Sequence, residues 1–219
     1  MNDWFSLWLS LRVSAIATVL AGVVGVAVAY LLAKWRSRLA SVVEAVVTVP
    51  IVLPPTVLGY YLLTLLGTRS SLGTAWESLF GSPLVFTASG AVVAATVSAL
   101  PFVIRAARAA ISNVDSRVEE SARVMGLPEW RVARVVTLPL AARGIGAGVA
   151  LGFARALGDF GATVMVAGNI PGQTQTLPVA VYDAVQAGDD AAARTGSLVL
   201  GAIAVVVLVL VTQVFASRR

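Results

Sequence analysis

The sequence has no cysteine and no histidine. Disulfides and thiolate metal sites are therefore excluded, and the commonest general base and metal ligand is missing. Charged residues make up only 12% of the 219 residues, about half the usual globular share. Lys34 is the only lysine. It sits in "YLLAKWRS", without the glycines that a phosphate-binding loop of the form G-x-x-x-x-G-K-[ST] requires. No nucleophile–base set and no metal cluster is visible, so the residues give an enzyme no support, and neither a cofactor nor a metal is expected on this chain.

What fills the chain is hydrocarbon: 58% hydrophobic residues and a mean hydropathy of +0.88. A bilayer is crossed by about 20 apolar residues. Runs of that kind fall at 13–33, 45–68, 84–104, 144–168 and 195–216. The expected fold is all-α, a polytopic bundle of about five transmembrane helices. The opening "MNDWFSLWLSLR" has no basic n-region and no small-residue cleavage site, so the first run reads as a retained span.

Basic residues orient the bundle. With the N-terminus outside, twelve of the sixteen lie on inner segments: Lys34, Arg36, Arg38, Arg105, Arg108, Arg117, Arg123, Arg131, Arg134, Arg143, Arg218 and Arg219. Only Arg12, Arg69 and Arg194 fall outside, and Arg155 is left within a span. The sequence thus predicts N-terminus out and C-terminus in, in a cell membrane.

One compact charged segment, at about 113–141, interrupts the hydrocarbon on the inner side. Ser116 and Glu119 have capping-box spacing. Val118, Ala122 and Met125 follow at i, i+4 and i+7, predicting one apolar stripe. Gly126 predicts a left-handed stop, Pro128 the first turn of a second short helix, and Pro139 its end. Two helices around a glycine also describe a DNA reader. Here both ends are tied to spans within a few residues, which excludes nucleic acid as a partner.

Glu120-Ser121-Ala122, three residues, Gly126, nine residues, Val136, Thr137 and Leu138-Pro139 resemble the EAA motif of type I ABC importer permeases. Every spacing holds; Ser121 and Val136 replace the family's Ala and Ile. The resemblance implies one permease domain over 8–216. It also implies a coupling segment that docks on a separate ATPase subunit through Glu119, Glu120, Ala122, Gly126, Val136, Leu138 and Pro139. ATP would be used by that partner, and two copies of each chain would assemble with an extracytoplasmic binding protein. "VPIVLPPTVLGYYLL", "FARALGDFGATVMVAGNIPGQTQTLP" and "VYDAVQ" look like molybdate permeases in particular. Sulfate permeases share the theme of the second segment, here with Asp159 in place of Glu. Molybdate or tungstate is the implied cargo, with sulfate or another solute as the alternative. An ion-gradient carrier fits less well, since it would show paired repeats and coupling carboxylates.

Arg155 and Asp159 stand at i, i+4 inside the fourth span and can pair. The pair either locks that span to a neighbour or serves an anion path or gate. Pro50, Pro54 and Pro55 break the second span, as is tolerated where freed carbonyls face protein or a cavity. Pro54, Pro55 and Thr56, with Thr96 and Ser98, are candidate pathway contacts; a merely kinked packing helix is the other reading. Gly152, Gly158 and Gly161 suit close helix approach. "GNIPGQTQTLP" offers neutral donors, either for an oxyanion or as a face for the binding protein, and "VAVYDAVQAGDD" predicts a short outer helix.

Overall fold

Between Asp3 and Lys34 the chain has neither a proline nor a polar run, and α1 (Asp3–Lys34) fills that interval unbroken. The computed structural model describes residues 3–35 and 37–216. Arg36, Arg218 and Arg219 of the inner basic set lie outside the described residues. α1 starts well before position 13 because Trp4, Phe5, Leu7 and Trp8 extend its apolar surface. Arg12 is exposed on its side and does not end it.

Proline divides the expected span 45–68. α2 (Arg38–Val52) carries Pro50 near its end, and α3 (Pro55–Leu66) starts at a proline, where a missing N–H costs nothing. Between them the chain bends by 113°. A short surface helix, α4 (Ser71–Phe80), follows. α5 (Ala88–Ser112) begins at 88 rather than 84, because Thr87 Oγ1 accepts from Gly90 N at 3.2 Å and fixes the start.

The charged segment holds α6 (Ser116–Val124), α7 (Glu129–Val132) and a π turn (Ala133–Thr137), which runs straight into α8 (Leu138–Leu157). Pro139 therefore does not end a helix, as expected, but lies in the first turn of α8. In the π turn the Leu138 N–H reaches back to Ala133 O, and this wider register absorbs the proline. α9 (Gly161–Ala167) is split from α8 within the expected span 144–168. α10 (Leu177–Gln186) is the predicted short helix, and α11 (Asp190–Ala216) completes, among the described residues, a set of four long apolar helices plus the bent pair.

The centre of the bundle is α1, α5 and α8, packed through small residues. Ala17 and Ala21 share a core cluster with Ala91, Ala95 and Ala99. Gly144, Gly148 and Gly152 form one stripe on α8 against α5. A Cβ on Gly148 would lie 2.6 Å from Ala106 Cβ, and one on Gly152 2.8 Å from Val103 Cγ2. Apolar burial drives little helix association in lipid, so close backbone approach matters more. Gly161 meets α3 in the same way, at 2.7 Å from Pro55 Cβ, whereas Gly158 has ordinary room at the α8–α9 break.

α1 also fixes the two ends of the bundle. Near its start, Ser10 Oγ accepts from Leu177 N at 2.7 Å and Ser6 Oγ donates to Gln175 Oε1 at 3.4 Å. At its last residue, Lys34 meets Glu119. A helix of 32 residues rises about 48 Å. The 169–177 loop and the charged segment therefore lie at opposite ends.

Candidate functional site

α6 begins at Asp115, whose Oδ1 accepts from Arg117 N at 2.9 Å. The expected Ser116–Glu119 capping box does not form, because the Glu119 carboxylate is drawn elsewhere. It accepts from Lys34 Nζ at 2.5 and 2.6 Å and from Thr137 Oγ1 at 2.6 Å, with Arg123 at 3.6 Å. Three elements, the end of α1, α6 and the π turn, thus converge on one carboxylate that is only 3% exposed. Burial pushes the Glu119 carboxyl up, but hydrogen bonds from Lys34 and Thr137 and the adjacent positive charges outweigh it. The group lies below its ordinary value.

This anchor sets the rotation of α6. Glu119 and Ala122 face inward, while Val118 and Met125, expected on the same stripe as Ala122, face out. Glu119, expected among the docking residues, is therefore buried at the base of the segment. Glu120, Gly126 and Pro139 are exposed, and Val136 and Leu138 are half-buried. Gly126 adopts φ +84°, the predicted left-handed turn, with nothing near its missing side chain. Across that turn Arg123 Nε donates to Glu129 Oε1 at 2.6 Å and fixes the angle between α6 and α7. The tip presents Val124, Met125 and Trp130, all strongly exposed. An apolar, turn-shaped knob rimmed by charge is suited to seating in a groove on another protein.

The second cluster lies at mid-bundle. A cavity of about 450 Å³ opens between the α2–α3 and α8–α9 breaks, lined by Pro50, Pro55, Thr56, Phe102, Arg155 and Phe160 among others. Arg155 pairs with Asp159 Oδ1 at 2.9 Å. Ser98 Oγ donates to the same oxygen at 3.1 Å. Oδ2 accepts from Thr163 N at 2.9 Å and Thr163 Oγ1 at 2.7 Å, so Asp159 also caps α9. Thr96 is not part of this site, because its hydroxyl turns back to Val92 O at 2.7 Å. Pro54 is exposed beside the bend, and Ser98 reaches the cluster only through Asp159.

At the far end, the amides expected to be open are used internally. Asn169 Nδ2 donates to both Asp183 oxygens at 2.8 and 2.7 Å, and Gln175 Nε2 donates to Asp183 Oδ2 at 2.8 Å. Pro171, Gly172 and Gln173 form the exposed tip of that loop. Among the described residues no cluster of three or more His, Cys, Asp or Glu could hold a metal.

Sequence reasoning missed Lys34, Thr137 and Thr163 as partners, and Val124 and Trp130 as surface. The one legible signal was that Lys34 is the sole lysine, placed where a span ends.

The described residues form a multi-helix membrane bundle with one projecting charged segment. Residues 21–218 match the family described as binding-protein-dependent transport system inner membrane component, and the chain belongs to that family. It is 40% identical over 194 residues to the molybdenum transport system permease protein ModB of Haemophilus influenzae, covering 89% of this chain and 84% of that protein. A probable sulfate transport system permease protein, cysT of Chlorokybus atmophyticus, is 32% identical over 179 residues, covering 82% and 61%. The inward-facing MetNI methionine ABC transporter shares the fold at a TM-score of 0.76 and 19% identity, over 97% of this chain and 94% of that one. The chain is a multi-pass membrane subunit of a transport system.

Proposed function

We propose that this chain is the permease subunit of an ATP-driven importer that carries molybdate, with tungstate as a close analogue. The observation that carries the reading is the 40% identity, along 89% of the chain, to a protein named as a molybdenum permease. The exposed Val124–Met125–Trp130 knob, with Glu120 and Gly126 beside it, is the docking element for a separate ATPase that supplies the free energy. That end faces the cytoplasm, so the N-terminus is outside and the C-terminus inside. Two copies enclose the path with two ATPase chains, and the Pro171–Gln173 tip receives the binding protein. The path runs by the two helix breaks, past Pro54, Pro55, Thr56, Arg155 and Asp159.

The test is uptake. The chain is expressed with its ATPase and binding protein in cells lacking molybdate import, and accumulation of labelled molybdate and of labelled sulfate is measured. Molybdate accumulation that stops when the ATPase is inactivated is the expected result. Sulfate accumulation without molybdate would favour the reading drawn from the sulfate relative, and uptake independent of the ATPase would remove the ATP-driven reading.

A further inference from the structure

We infer that the cavity between the two helix breaks is a binding site for a tetrahedral oxyanion, with the Arg155 guanidinium as its charged contact and Asp159 as the group that moderates its strength. The inference rests on the transport reading above and gives one site within the path a chemistry.

The hydrogen-bond ledger of Asp159 carries the argument. Its two oxygens hold four contacts, and three come from neutral donors: Ser98 Oγ, Thr163 N and Thr163 Oγ1. These three tie α5 to the start of α9 without help from Arg155. A carboxylate has about four lone-pair sites, so Asp159 is saturated. Arg155 is the opposite case. Its guanidinium has about five N–H donors, and one of them, on Nη1, faces Asp159 Oδ1 at 2.9 Å. The Asp159 side chain is wholly enclosed, whereas a quarter of the Arg155 side chain remains accessible, in the wall of the cavity.

Depth makes this arrangement informative. Ser98 lies near the middle of α5 (Ala88–Ser112), so the cluster sits far from either end of the bundle. Spare guanidinium donors at such depth are costly unless they meet water or a ligand. A planar guanidinium fork matches the paired oxygens of an oxyanion better than any other side chain. The cavity of about 450 Å³ leaves room for such an anion with part of its hydration. Thr56, exposed on the wall, places a hydroxyl there as well.

The negative partner explains why the cation does not become a trap. An arriving anion meets a pair of net charge zero and must share Arg155 with Asp159. Transfer along a path requires binding strong enough for entry and weak enough for exit. A lone arginine would favour the first only.

The experiment uses the purified permease–ATPase complex without binding protein, and equilibrium dialysis of tungstate, molybdate and sulfate. Wild type should bind these oxyanions in preference to chloride. Arg155→Met should weaken binding by about tenfold or more, as loss of a charge-assisted contact does. Arg155→Lys keeps a cation for Asp159 but loses the fork, and should weaken binding by severalfold. Asp159→Asn should tighten it, a direction that damage to the fold does not produce.

Equal affinities across wild type, Arg155→Lys and Arg155→Met would overturn the inference, even if Asp159→Asn fails to accumulate. So would a wild-type complex that binds no tetrahedral oxyanion while cells import molybdate normally. Sulfate transport without molybdate transport would instead remove the substrate reading alone, and the Arg155 dependence would then be read with sulfate.

Discussion

Two buried carboxylates in this protein are built from similar parts and do different work. Glu119 holds Lys34 closely and Arg123 more loosely, Asp159 holds Arg155, and each carboxylate also accepts from a threonine hydroxyl and is nearly or wholly enclosed. The closer cation of Glu119 comes from a distant helix: Lys34 is the last residue of α1, 85 positions away. The cation of Asp159 comes from the preceding turn of its own segment. At Glu119 the ion pair joins α1 to α6 and the Thr137 hydroxyl adds the π turn, whereas at Asp159 neutral donors alone join α5 to α9 and the arginine is left largely free. Where the cation originates thus decides whether a buried pair acts as a strut or holds a charge in reserve.

The largest effect should follow from Asp159→Ala. It removes the cap of α9, orphans Ser98 and leaves Arg155 without a counter-charge. We expect a loss of about 3–5 kcal/mol, seen as sharply reduced membrane abundance and a lower unfolding temperature of the complex. Asp159→Asn keeps an acceptor for Thr163 N and should lose clearly less. Equal losses in the two variants would break the distinction drawn between neutral and ionic contacts.

Lys34→Met should cost about 2–3 kcal/mol, because Glu119 stays buried while its main partner is gone; a third of Lys34 is solvent-exposed, which limits the effect. The exchange Lys34→Glu with Glu119→Lys should recover part of that stability. The pH dependence follows from the sign of the shift. Glu119 has a lower pKa folded than unfolded, so its contribution is present at neutral pH. It fades as pH falls from the ordinary value of 4.5 through the lower folded one. Glu119→Gln should lack that part of the acid sensitivity in thermal unfolding measured against pH.

Gly126→Val forces a β-branched residue into φ +84° and should cost about 1–3 kcal/mol locally. Nothing crowds the position, so Gly126→Asn, which tolerates the left-handed region, should lose much less. Both variants should accumulate in the membrane. Co-purification of the ATPase should suffer only in the valine variant if the angle between α6 and α7 is what the partner reads.

The smallest effect on stability belongs to Glu120→Ala. Glu120 is exposed on the outer side of α6. We expect a change within about 0.5 kcal/mol, together with loss of substrate-stimulated ATP hydrolysis in the assembled transporter. Normal stimulation would leave Glu119, which is structural, as the more important of the two neighbouring glutamates.

Hydropathy alone determined the class of this protein. A chain with so few charges and apolar runs of bilayer length must satisfy its backbone within helices. Local chemistry also fixed the bend at Pro54–Pro55 and the left-handed turn at Gly126, because each depends on one residue's own φ or missing N–H. What the sequence did not reveal involved distance along the chain. The rotation of α6 was misread from its apolar spacing, since the inward face is set by Lys34, which arrives from another helix. Pro139 was read as a stop because nothing local announces a π turn able to absorb it. Arg155 and Asp159 were legible as a pair at i, i+4, but not the three neutral donors that make the arginine partly dispensable to its partner. Which donors reach a buried charge is set by how helices pack. That packing was decided by Gly144, Gly148 and Gly152 meeting α5, a matter of shape that only the tertiary structure resolves.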